Sequence, residues 1–204
     1  MKEISLLLLT IVFTTRIFGQ HLSAGLQFGL NISNLGGNNI YDMNSNPGFY
    51  SGLLLSIQSE HRFALQSGII YSRQGSKYVT GDGSKHTLFL HCVNLPLRFQ
   101  YKINENVYLQ TGTQVEFLVN VKDKVGGNET GFFTSQDFKT VNLSLSAGFA
   151  YSGNSGWGFD SRYNFGINNI SNGGIYTFKN NVFQLGLFYM FNNNHKAVSA
   201  RRGY

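Results

Sequence analysis

Four charged residues stand where chemistry could be done: Arg98, Glu116, Asp160 and Arg162. Each lies in a stretch that alternates apolar with polar residues, and each falls on the polar parity. Side chains two apart share one face of an extended strand, so Asp160 and Arg162 point the same way. Counted from the nearest short turn, Arg98, Asp160 and Arg162 lie at a similar low level and Glu116 lies higher. Guanidinium and carboxylate groups gathered in an interior can fix it by ion pairing, or they can pass protons or guide a substrate. An unpaired buried charge is expensive, so a paired structural network is the stronger expectation.

Other chemistry finds less support. The histidines His21, His61, His86, His91 and His195 are scattered, and no HExxH or CxxC spacing exists. No metal site and no cofactor are therefore expected. His91 is out of place, because it sits on the apolar parity of its stretch. Catalysis of the lipase kind needs a serine beside an oriented histidine, and no such constellation can be read from the spacing. The reading is therefore not an enzyme. Gly25, Gly29, Gly36 and Gly37 lack the strand–GxGxxG–helix context of a dinucleotide site. The lone Cys92 excludes an intrachain disulfide, and its place within a stretch of strand suits an inert buried thiol. The N-x-S/T triplets at Asn31, Asn128, Asn142 and Asn169 lie mostly in or against strands, which suits glycosylation poorly.

The elements that must hold these residues are eight alternating stretches: 22–33, 49–58, 62–74, 86–102, 107–121, 140–152, 157–168 and 181–192. In the last, Phe183, Leu185, Leu187, Tyr189 and Phe191 share one face, and Val182, Gln184, Gly186, Phe188 and Met190 the other. The gaps alternate as well. Those at 34–48, 75–85, 122–139 and 169–180 are long, and those at 59–61, 103–106 and 153–156 are short. This is the rhythm of an up-and-down meander of hairpins.

Periodicity alone does not say which face is inside. A soluble sandwich or barrel would bury the bulky apolar face, whereas a membrane barrel turns it to lipid. The polar face is crowded with Gly, Ser, Asn and Gln and poor in Lys and Glu, which suits a narrow interior better than open water. Tyr71, Tyr101, Tyr151 and Trp157 sit near strand ends, where an interfacial girdle would lie. In lipid an open sheet would leave two unsatisfied edges, so the first and last strands must pair. The expected fold is all-β: an eight-stranded antiparallel transmembrane barrel, whose lumen at this strand number is filled by side chains. Short turns and both termini are then periplasmic, and the four long loops external.

The chain start supports export. Lys2 precedes the apolar run Ile4 to Thr15, and small Gly19 stands before a plausible cut. The run is too short to span a bilayer, so a cleaved signal over 1–19 is expected, then a barrel over 20–192 and a loose basic tail over 193–204. Removing Lys2, Arg16 and Glu3 leaves 14 basic and 9 acidic residues. These charges are scattered, which disfavours nucleic acid and suits a weak pull toward anionic lipid or sugar surfaces. Charged residues are 13% and aromatics 15%, which disfavours a disordered chain. The expected partners are outer-membrane lipid, and an envelope protein or glycan met by the four long loops.

The order of motifs resembles a known family. AGLQFGLNISNLGGN (24–38), GFYSGLLLSIQ (48–58), LQSGIIYSRQGSK (65–77), VNLPLRFQYKI (93–103) and VYLQTGTQVEFLV (107–119) are similar to segments of the PorT-type outer-membrane β-barrel family of the Bacteroidota. SAGFAYS (146–152), FDSRYNFGINNIS (159–171) and VFQLGLFYMF (182–191) continue the likeness. The resemblance implies an eight-stranded barrel in the outer membrane. The founding member is implicated in protein secretion, while most members have no assigned activity, so that role is not carried over. One departure is the polar, basic tail after Phe191, where such barrels usually end on an aromatic residue. The expected role is structural or interactive, through the external loops or the periplasmic tail, with transport or secretion support, outer-leaflet lipid modification and a soluble exported barrel as alternatives.

Overall fold

The computed structural model describes residues 21–37, 43–59, 62–129, 132–173 and 177–191. The expected signal over 1–19 and the tail over 193–204 lie outside the described residues, as do His61, His195 and parts of the long loops. Nine strands follow in order: β1 (His21–Gly36), β2 (Asn44–Gln58), β3 (Phe63–Val79), β4 (Lys85–Lys102), β5 (Val107–Val125), β6 (Asn128–Glu129), β7 (Val141–Ser152), β8 (Trp157–Gly166) and β9 (Lys179–Met190). Eight of them form an antiparallel ring. Sequential neighbours pair, β4 pairs β5, β5 pairs β7, and β1 pairs β9 to close the circle. The two-residue β6 only extends β5 into a loop.

Alternation sets the faces as expected. Leu22, Leu30, Leu53, Leu109, Val119, Trp157, Phe165 and Leu185 are among the large apolar residues exposed outside. Gln27, Asn31, Gln66, Asn94, Gln114 and Gln184 are buried inside. So broad an apolar exterior has no place in water. The eight ring strands run 10 to 19 residues, enough for the ~9–11 that cross a bilayer when tilted.

The short turns at 103–106 and 153–156 form where the gaps placed them. Asn104 closes one by accepting the backbone N–H groups of Asn106 and Val107, at 3.0 and 2.9 Å. At the opposite end β1 to β5 and β9 run past the expected limits, whereas β7 starts at Val141 and β8 stops at Gly166, just short of theirs. The expected long loop 75–85 is a hairpin instead: β3 continues to Val79, β4 starts at Lys85, and only 80–84 turn. Above the lipid belt water bathes the outer face, so outward residues such as Lys77 become polar and the amphipathic contrast fades. The backbone pairing nonetheless persists.

The interior has three layers. Leu54, Ala150, Phe188 and Met190 pack near the short-turn end. A polar layer fills the middle. At the long-loop end Leu35, Tyr78, Leu88, Leu90, Val121, Phe133, Phe138 and Phe178 form an apolar cap. Phe133 and Phe138 come from the 122–139 segment and Phe178 from 169–180, so these two loops fold inward as well as displaying surface.

Candidate functional site

The polar layer holds all four charged residues singled out by spacing. Arg98, Glu116, Asp160 and Arg162 are each 5% exposed or less. Opposing glycines make the room: Gly112 faces Arg98 across β4 and β5, and Gly148 faces Arg162 across β7 and β8. A Cβ on Gly148 would come within 3.0 Å of the Arg162 side chain.

Arg162 forms an ion pair with Asp160 on the same face of β8. Tyr50, from β2 across the lumen, donates to the other carboxylate oxygen at 3.4 Å, and its ring lies 5.6 Å from the Arg162 guanidinium carbon. Arg98 stands outside that pair. Its Nη1 donates to Gln66 Oε1 at 2.9 Å, while its Nε and Nη2 have no hydrogen-bond partner among the described residues. The expected three-membered network is thus a pair with a second guanidinium held by an amide.

Glu116 lies higher and has a different shell. Gln74 donates to it at 2.9 Å, Asn142 at 3.1 Å and Asn180 at 3.0 Å. Three amide donors replace water around the carboxylate without a cation. Gln74, Asn142 and Asn180 sit on β3, β7 and β9, so this cage ties those strands to β5.

A second polar cluster went unread in the sequence. Within the cap, the Tyr78 hydroxyl donates to Asp123 Oδ2 at 2.5 Å, and His86 Nδ1 lies 3.2 Å from the same carboxylate. His86 and Tyr78 also stack at 4.7 Å. Parity could have placed His86 inside, on the same even positions as Arg98. Asp123 fell in the expected loop 122–139, because β5 continues to Val125 past a bulge opposite His91/Cys92 that breaks its alternation. Val121 and Asp123 therefore point inward although Val119 points out. Cys92 is free and buried, and its thiol meets the Glu116 carboxylate. His91 faces outward, as its parity required, with Nδ1 2.6 Å from the Tyr71 hydroxyl.

No group of three or more His, Cys, Asp or Glu side chains suited to a metal occurs among the described residues. Small cavities remain. One of about 50 Å³ opens near the short-turn end between Ser23, Gln66, Gln100, Tyr108 and Met190.

The ring of strands agrees with solved structures. Neisserial surface protein A superposes with a TM-score of 0.56 at 13% identity, covering 83% of this chain and 98% of that one. The attachment invasion locus protein Ail of Yersinia pestis, solved with the heparin analogue sucrose octasulfate, gives 0.51 at 14% identity, covering 84% and 99%. OprG of Pseudomonas aeruginosa gives 0.51 at 12% identity, covering 85% and 98%. At such identities the likeness shows the fold. No curated protein matches the sequence. A family model described as "Outer membrane protein beta-barrel domain" matches residues 18–172. That match spans most of the chain, from ahead of β1 to past β8, and the chain belongs to this family of bacterial outer-membrane barrels.

Proposed function

We propose that this protein is a sealed, non-catalytic outer-membrane barrel that acts through its external rim and loops. The observation that carries this reading is the layered filling of the lumen. The apolar cap of Phe133, Phe138 and Phe178 lies over a layer in which Asp160–Arg162 and Glu116 are buried. A continuous water path would have to displace both. The histidines support the non-enzymatic reading: the partners of His86 are Asp123 and Tyr78, and that of His91 is Tyr71. The motif order supports a PorT-type affiliation within the family and a Bacteroidota source, and Lys2 with the apolar run Ile4 to Thr15 supports export by a cleaved signal. An envelope protein or glycan is the expected partner.

Planar-bilayer recording tests the seal. The wild-type protein is expected to give no steady current steps, and reproducible ohmic channels would overturn the reading. Crosslinking in intact cells followed by pull-down identifies the partner.

A further inference from the structure

The lipid-facing surface departs from its own pattern at one level. Arg73 on β3 points outward between Phe49 and Phe89, its guanidinium carbon 5.0 Å from the centre of each ring. It pairs in register with Phe49 on one side and His91 on the other. His91 is fixed there by Tyr71 at 2.6 Å. Lys122, opposite Phe89, adds a third basic group, whose charge is shared with the exposed Glu129 at 2.6 Å. Arg73 itself enters no ion pair with a described carboxylate, and its Nε has no hydrogen-bond partner.

The height of this cluster narrows its ligand. Arg73 stands about ten residues along β3 from Phe63 at the short-turn end, or ~25 Å along the bilayer normal for tilted strands. An outer-membrane belt is about that tall, so Arg73 lies where acyl chains give way to headgroups. Below it the surface is furrowed. An apolar groove of about 720 Å³ runs over the outer faces of β2, β1, β9 and β8, lined by Phe49, Phe28, Leu30, Leu185, Leu187 and Phe159. Phe49 belongs to both features. One ring thus joins a cation at headgroup height to a groove wide enough for an acyl chain.

We propose that Arg73, with His91 beside it, binds the phosphate of a phosphorylated glycolipid of the outer leaflet, one acyl chain of which lies in the Phe49–Leu187 groove. The arginine fork matches phosphate in a bidentate way, and flanking rings desolvate it enough to strengthen that contact. This site rests on the outer-membrane placement and is independent of whether the lumen conducts.

The test uses the full barrel in phosphatidylcholine nanodiscs doped with either bis-phosphorylated lipid A or its dephosphorylated form, with native mass spectrometry counting retained lipid. Wild type is expected to retain the phosphorylated form about tenfold better, the scale of one charge-assisted contact. R73Q/H91Q is expected to abolish the preference, and R73K to keep part of it. Equal retention of both lipid A forms by wild type overturns the proposal, and that comparison decides even if the double variant does not fold. Equally strong retention of phosphatidylglycerol also overturns it, by showing general attraction to anionic lipid.

Discussion

At the scale of single residues, charge balance in the lumen decides most. Asp160 is the carboxylate that Arg162 pairs with, and a second guanidinium, Arg98, is buried in the same layer. Asp160→Asn would leave both cations without that charge. Breaking a buried pair from one side costs about 3–5 kcal/mol, so urea unfolding in lipid vesicles should show a loss of that size. A loss under ~1 kcal/mol would mean that another group carries the balance. The turn at 80–84 makes a milder case. Asp82 accepts from the Thr80 hydroxyl at 2.5 Å, and from the hydroxyl and backbone N–H of Ser84 at 2.9 and 3.2 Å. These bonds, the two hydroxyls first, hold its carboxyl down to about 2. A depressed carboxylate contributes order above its unfolded pKa and loses it as pH falls through the folded one. The amide shifts of 80–84 should therefore stay constant from pH 7 to about 4 and move only near pH 2. Movement centred near pH 4 would show the bonds absent in solution.

At the scale of elements, the β1–β9 seam is a close backbone contact in the barrel wall. Gly29 and Gly186 face each other there, and Tyr50 lies over both. A Cβ on Gly29 would stand 2.6 Å from the Gly186 Cα and 2.8 Å from Tyr50 Cε1, and one on Gly186 would stand 2.6 Å from the Phe28 carbonyl oxygen. Backbone cannot yield as a flexible side chain can, so Gly29→Ala and Gly186→Ala should each cost about 1–3 kcal/mol. An unchanged urea midpoint in either would contradict the packing. The strands themselves were legible because lipid outside and a polar lumen inside impose opposite demands on neighbouring residues. Arg98, Glu116, Asp160 and Arg162 could be read as interior for that reason. The same logic fails beyond the belt. Ser76 inside and Lys77 outside are both polar, so the upper hairpin of β3 and β4 read as loop. Phe133 and Phe138 sit in a polar segment with no period, so nothing in their spacing marked them as a cap. The bulge opposite His91/Cys92 left no sign in composition, and Asp123 beyond it fell in the expected loop 122–139.

At the scale of the whole molecule, strand number and loop length set orientation. Four hairpins put the start of β1 and the end of β9 on the short-turn side, which is periplasmic in this architecture. The buried Cys92 leaves little background for thiol labelling. A Ser84→Cys variant should react with an impermeant maleimide on intact cells, whereas Asn104→Cys should react only after the outer membrane is permeabilised. The reverse pattern would invert the barrel.

Closure of the ring also has a consequence in time. The seam joins β1 to β9, the first and last strands among the described residues, with Leu26 against Tyr189 and Leu30 against Leu185. Contacts of such sequence separation form slowly, because the whole intervening chain must be arranged before they gain anything. Until β9 arrives, every partial sheet carries two bare edges that lipid cannot satisfy. Insertion and closure are therefore coupled, because no partial sheet satisfies its edges in lipid until β9 pairs with β1.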